Sequence, residues 1–175
     1  PMIPWSSGYT GPGTEVSIAS LNAYVDNPSL DDAAREVRAA RPDILVVQEF
    51  TPSTMVAFEQ DGLTATYEHH IELPADTTGT AVYSHYPLRE VVAPVDLADQ
   101  MLVDVELPDG TTLRVANVHV FADDVGAWYH ELRALDGELE EFDDRWIALG
   151  DFNATFDHRP YRDLLRSGRR DAHLE

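Results

Sequence analysis

The 175-residue chain contains no cysteine and no lysine, and no apolar run in it approaches the roughly 20 residues that span a membrane as a helix. Without cysteine there are no disulfides, no thiolate metal sites and no cysteine nucleophile, and the redox compartment stays undecided. Without lysine the basic count of 12 is all arginine, set against 32 acidic residues, for a formal net charge of −20. A field of that sign repels nucleic acid and anionic lipid at long range and favours divalent cations. It also fits a plain acidic surface from a GC-rich or salt-adapted source. Arg159, Arg162, Arg166, Arg169 and Arg170 form a local exception. They read either as a phosphate contact or as a solvated helix face paired with acids, so no strong basic nucleic-acid groove is expected. A basic, apolar signal sequence is also missing from the start, which is Pro1 rather than Met. The expectation is that something upstream has been removed, and that a secreted or membrane-tethered bacterial domain facing outwards is slightly favoured over a cytoplasmic one.

What is present suits one domain: a hydrophobic content of 43% excludes disorder, and the length is ample for a core. Residues 1–14, PMIPWSSGYTGPGT, read as an irregular arm, and residues 15–175 as the domain. Strand and helix signals then alternate. EVSIASLNAY is a strand with Val16, Ile18 and Ser20 on one face. Leu30 to Ala40 is a helix, capped by Ser29, with Asp31 and Asp32 in its first turn, and ended by Pro42. DILVVQEF is a continuous apolar run, the pattern of a strand buried on both faces. A short helix is expected over Ser53 to Gln60. Strands are expected around Thr66–Ile71, Gly79–Ser84, Arg89–Val95 and Met101–Leu107. Pro108-Asp109-Gly110 marks a hairpin into TTLRVANVHV. A helix over Gly126 to Glu141, a buried strand from Trp146 and a helix near His158 complete an α/β chain with helices packed outside sheets.

The strand ends carry the chemistry. The first closes on Leu21-Asn22, the second on Gln48-Glu49, the hairpin strand on Asn117-Val118-His119 and the last on Gly150-Asp151-Phe152-Asn153. Each has a plain structural explanation: a turn for Asn22, Asp151 and Asn153, an edge acid pairing an arginine for Glu49, a rim histidine for His119. Four such endings in order weigh more than any one, and ligands in α/β folds collect outside the carboxyl ends of strands. If the strands lie side by side, Asn22, Glu49, His119, Asp151 and Asn153 share one cleft. That set is rich in oxygen and suits Mg²⁺ or Mn²⁺ rather than zinc.

LNAY, VVQE, GTAVYSHYPL, ANVHV and GDFNATFDHRPY, in this order and at these spacings, resemble the endonuclease/exonuclease/phosphatase family from Glu15 to about His173. The resemblance implies a four-layer α/β/β/α sandwich of two mixed sheets with helices outside. It implies hydrolysis of phosphate esters with Mg²⁺, the substrate being nucleic acid, a phospholipid head group or a small phosphoester. Carried over residue by residue, it makes Glu49 the principal metal ligand with Asn22 beside it. His119 would hydrogen-bond the scissile phosphate, Asp151 would orient or deprotonate the attacking water or bind a second metal, and Asn153 would hold a phosphate oxygen. Family members continue for several more strands to an Asp-His pair and carry another Asp on an intervening strand, whereas this sequence stops at Glu175. The expectation is a domain incomplete at the C-terminus, with Asp171-Ala172-His173 not standing in for that pair.

Two functions follow: a metal-dependent phosphodiesterase, nuclease or phosphatase, and a non-catalytic binding domain that keeps the fold and metal site. The first is preferred, because a released site would be free to lose its five residues. His69-His70 on one strand point to opposite faces and cannot easily share a metal. Trp128 and Tyr129 read as core or interface, and His85 as a loop histidine.

Overall fold

A computed structural model describes residues 15–92, 100–141, 145–166 and 169–171. The expected arm, residues 1–14, and His173 lie outside the described residues. Two four-stranded sheets face one another. The first runs β1 (Ile18–Asn22), β2 (Ile44–Gln48), β4 (Thr80–Ser84), β3 (His69–Leu73), and the second β5 (Leu88–Val91), β6 (Met101–Glu106), β7 (Thr112–His119), β8 (Trp146–Asp151). Each sheet has a single parallel pair, β1 with β2 and β7 with β8, and its other neighbours are antiparallel. A parallel pair needs a crossover. Helix α1 (Leu30–Ala40) supplies the first and α3 (Val125–Glu140) the second, while α2 (Pro52–Asp61) and α4 (Arg159–Leu164) follow the two pairs.

The layers follow from strand alternation. Ile44 and Val46 of β2 point between the sheets with Val82, Val103, Val105 and Val115, while Leu45 and Val47 point outwards to Val37 of α1 and Phe58 of α2. Both faces of β2 are therefore buried, which is why its sequence is apolar without interruption. Beyond the second sheet, Leu132, Leu135 and Leu139 of α3 and Leu164 of α4 cover Ala116 and Val118. The architecture is the expected four-layer α/β/β/α sandwich.

Helix ends obey local chemistry. Ser29 begins α1 through its carbonyl, which accepts from the N–H of Asp32 and Ala33, and its hydroxyl makes no capping bond. Arg41, at φ +50°, closes α1 by donating to Val37 O. Thr51 and Thr54 cap α2 reciprocally, with Pro52 in its first turn. In the β6–β7 turn Asp109 accepts from the N–H and hydroxyl of Thr111, with Gly110 at φ +79°.

Two expected elements differ. Thr64–Thr66 forms a 3₁₀ turn closed by Tyr67 N–H on Thr64 O, so β3 starts at His69. Strand β8, expected to be buried, is half-buried along its whole length, and among the described residues it is paired on one side only, with β7. The part of the Arg89–Val95 strand beyond Val92 falls outside the described residues.

Candidate active site

Parallel pairing sends the carboxyl ends of β1 and β2 to one pole, and those of β7 and β8 likewise. Asn22 pairs with Gln48 at the end of the first pair, and His119 with Asp151 at the end of the second. These strands do not all lie side by side in one sheet; the two pairs come from opposite sheets and meet across the sandwich. The meeting point is the Asn22 carboxamide. Its Nδ2 donates to Glu49 Oε1 at 2.8 Å and to Asp151 Oδ2 at 3.1 Å. His119 Nε2 stands 3.6 Å from the same Glu49 oxygen. Four of the five residues read from the strand ends thus touch. Asn153 joins only through its backbone, whose N–H donates to Asp151 Oδ1 at 2.9 Å, and its side-chain amide donates to Val120 O at 2.9 Å.

Each functional group is fixed from outside the cleft. Glu49 takes a left-handed backbone, φ +50°, immediately after β2, which turns its carboxylate into the cleft, and Val25 N–H holds its Oε2 at 2.9 Å. Asn22 Oδ1 accepts from Tyr24 N–H at 2.9 Å. Gly150, at φ +140°, lets β8 press against β7: a Cβ there would stand 1.9 Å from Val118 O. Imidazole orientation is set by Thr77, whose carbonyl lies 3.0 Å from His119 Nδ1. A carbonyl only accepts, so Nδ1 carries hydrogen and Nε2 faces Glu49. Gln100 grips the same residue by its backbone, accepting from His119 N–H at 2.6 Å and donating to His119 O at 3.0 Å. The Gln100 amide also donates to Glu131 of α3 at 2.7 Å.

Below the cleft a buried amide pair ties the sheets together. Gln48 Nε2 donates to Asn117 Oδ1 at 2.6 Å, and Asn117 Nδ2 donates to Val47 O at 2.9 Å and to Thr80 Oγ1 at 2.6 Å. Gln48 and Asn117 stand in the sequence at the strand ends beside Glu49 and His119, outside the five residues expected to form the site. Their signal is a carboxamide set into each of two apolar runs, ILVVQ and RVANVH, one residue before Glu49 and two before His119. Gln100 and Thr77 lie in connecting segments and left no comparable signal.

The donor set fits a hard divalent cation. Glu49 and Asp151 turn carboxylate oxygens to one point, where the Asn22 amide donates to both and the His119 imidazole stands 3.6 Å from Glu49. Two carboxylates at one place favour a cation between them. Among the described residues no three or more His, Asp or Glu side chains are already grouped at ligand distances, so the pair would have to draw together. Asn22, whose Nδ2 faces both carboxylates while Oδ1 accepts from Tyr24 N–H, would have to turn its amide over to offer the oxygen.

Other sequence candidates go elsewhere. His85 lies at the opposite pole, its N–H donating to Asp43 O at 3.0 Å. His70 stacks on Tyr83, with centroids 5.8 Å apart. Trp128 packs in the outer core of the second sheet and donates to Phe152 O at 3.4 Å, whereas Tyr129 is exposed. The C-terminal arginines have local partners: Arg159 and Arg166 pair with Asp163, Arg169 with Asp136, and Arg162 donates to the carbonyls of Phe156 and Asp157. They form the acid-paired helix face rather than an open phosphate surface. Asp171 accepts from the Tyr161 hydroxyl at 2.8 Å.

Solved structures share this fold. An endonuclease/exonuclease/phosphatase protein from Beutenbergia cavernae has 17% identity and a TM-score of 0.59, over 79% of this chain and 47% of its own. TDP2 from D. rerio, complexed with a single-stranded DNA product, has 18% identity and a TM-score of 0.60, over 85% of this chain and 64% of its own. A mutant beta toxin from Staphylococcus aureus with bound magnesium ions has 14% identity and a TM-score of 0.65, over 87% of this chain and 70% of its own. The chain thus spans between about half and about two thirds of their lengths. No curated protein sequence matches it. The endonuclease/exonuclease/phosphatase family model matches residues 19–174, which takes in every residue of the cleft and, but for Ile18, both sheets, and the chain belongs to that family.

Proposed function

We propose that the chain hydrolyses phosphate esters with Mg²⁺ or Mn²⁺, by in-line attack of an activated water. The observation that carries this reading is the Asn22 amide joined to two carboxylates from opposite sheets, with His119 against one of them. Phosphate esters resist attack because the reacting oxygens are anionic. A divalent ion held by Glu49 and Asn22 would neutralise those oxygens and make a water more acidic. The side chains divide the remaining work. Asp151 orients the water and takes its proton. His119, oriented by the Thr77 carbonyl at Nδ1, turns Nε2 towards a phosphate oxygen. Asn153 has a second amide hydrogen beyond the one used on Val120, and it holds another phosphate oxygen.

Substrate choice follows from charge. Arg159, Arg166 and Arg169 are ion-paired with acids and Arg162 is held by backbone carbonyls, so a long phosphate backbone finds no ready basic track there. That favours a small phosphoester, a phospholipid head group or nucleic acid bound mainly through the cation. The single-stranded DNA product in D. rerio TDP2 supports keeping nucleic acid in this set.

The test is hydrolysis of a generic phosphodiester and its monoester counterpart with Mg²⁺, Mn²⁺ or chelator. Turnover should need the metal, and Glu49→Ala and Asp151→Ala should each lower kcat at least ~10²-fold. A loss below tenfold in folded variants sinks the assignment. A folded chain that binds the cation but turns nothing over would instead be a binding domain retaining the site.

A further inference from the structure

The pole opposite the cleft is chemically unlike it. There α1 ends, β2 begins and β4 ends, and together they border a cavity of about 420 Å³ lined by Arg35, Arg38, Arg41, Tyr67 and His85 among others. The volume lies within the roughly 300–1,000 Å³ of small-molecule sites. A quarter of the chain's 12 arginines gather here, in a molecule of net charge −20.

The cations are poorly spent. Arg35 pairs with Asp32 at 2.9 Å, both largely exposed, and exposed pairs of this kind are worth little. Arg38 Nε holds Asp61 at 2.7 Å. Among the described residues no carboxylate lies within ion-pair distance of Arg41. Asp43, the acid beside His85, is engaged: Oδ2 accepts from the N–H and hydroxyl of Ser17, and Oδ1 from the Tyr86 hydroxyl. His85 stacks on Tyr67, with centroids 4.8 Å apart and planes at 22°, and Tyr67 is anchored by its hydroxyl on Pro42 O. A flat aromatic wall thus stands beside three guanidinium groups, of which Arg41 has no carboxylate partner among the described residues and Arg35 has only an exposed one.

We propose that this cavity is an anion site for a phosphate monoester, separate from the hydrolytic cleft. The five residues of β2, six residue steps from Asp43 to Glu49, separate the two poles, about 20 Å at the rise of a β-strand. A small ligand cannot bridge that distance, so occupancy does not depend on the chemistry proposed for the cleft. Guanidinium groups bind phosphate through directed, charge-assisted hydrogen bonds, and the His85–Tyr67 stack offers a planar surface to any ring the monoester carries.

Inorganic phosphate and a nucleoside 5′-monophosphate would be titrated separately into the whole chain at about 0.15 M NaCl, where long-range attraction is screened. The readout is the His85 imidazole resonances, identified with His85→Ala. The expected result is a saturable shift with an apparent Kd near or below about 1 mM. Arg41→Gln should weaken it about tenfold or more, and Asp151→Ala should leave it unchanged. A nucleotide bound well above phosphate would place its ring on the His85–Tyr67 stack, whereas equal affinities would make the phosphate group alone the ligand. Failure of both anions to saturate overturns the proposal. So does saturation that survives Arg35→Gln and Arg41→Gln combined in a chain of unchanged Tm.

Discussion

The chain contains the same device twice, a strand, a crossover helix and a parallel strand, and the two copies are held differently. In the first, β2 is buried on every residue and lies inside its sheet; in the second, β8 is the half-buried edge. The first bends at its functional residue, with Glu49 itself at φ +50°, where an L-residue with a Cβ is strained. The second moves the unusual geometry to the flanks, Gly150 at φ +140° and Asn153 at φ +46°, and leaves Asp151 on regular strand. A strained carboxylate needs a rigid support, which a buried central strand gives. Strand β8 is paired on one side only among the described residues, and here a glycine clamps it against its neighbour. The site is assembled where a stiff half and a clamped half meet.

Breaking the clamp should have the largest effect on stability. In Gly150→Ala the new Cβ would stand 1.9 Å from Val118 O and the backbone is one that alanine rarely adopts. A destabilisation of about 3 kcal/mol is expected, or a Tm drop of roughly 6–12 °C for a chain of this size. The counterpart in the first half is Gly79, where a Cβ would meet Phe50 O at 2.1 Å but φ is not in the left-handed region. Gly79→Ala should therefore cost less, about 2 kcal/mol of overpacking. Thermal unfolding of the two variants compares the halves directly, and equal losses would mean that the unusual φ at Gly150 contributes nothing.

The Gln48–Asn117 amide pair tests how the halves are coupled. Asn117→Leu takes the short acceptor from the buried Gln48 amide and leaves it only the Ser20 hydroxyl at 3.2 Å, at a cost of about 1–2 kcal/mol. Gln48→Leu should cost a similar amount by stranding Asn117. The double Leu variant leaves neither of the two amides behind, so its loss should fall short of the sum by about 1 kcal/mol or more. Simple additivity in denaturant unfolding would show that the pair does not bind the sheets together.

The parts of this design that were legible in the sequence are those dictated by near neighbours. Helix α1 was bounded correctly at both ends because Ser29, Asp31, Asp32 and Pro42 punctuate it. Strand β2 was legible because a strand with two covered faces has no room for polar alternation. The grouping of Asn22, Glu49, His119 and Asp151 followed from parallel strands pointing their ends one way. The exposure of β8 was not legible, since WIAL is equally apolar in the middle of a sheet or at its edge, and only the neighbours decide. Nor could Thr77 or Gln100 be found, because their contacts with His119 span 42 and 19 residues and use backbone atoms every residue has. The start of β3 was misplaced because β-branched Thr66 favours a strand, while a 3₁₀ turn bonds it locally to Leu63.

The smallest effect sharpens the comparison at the far end of the stiff half. Burial alone would raise the Asp43 carboxyl, but the Ser17 hydroxyl and N–H, with the Tyr86 hydroxyl, donate to it and hold it below the usual carboxylate range. A folded-state pKa that is lowered contributes stability above the unfolded value, about 3.9, and that contribution is lost as pH falls through the folded value. Ser17→Ala removes one donor, so the folded pKa rises towards the unfolded one. The stability difference between wild type and Ser17→Ala should then be widest above about pH 4 and should close as pH falls below it. Unfolding midpoints across that range measure the difference. A gap that stayed constant with pH would mean that the hydroxyl acts through packing around the Ser17–Asp43 link rather than on the charge, and that β2 owes its rigidity to its buried faces alone.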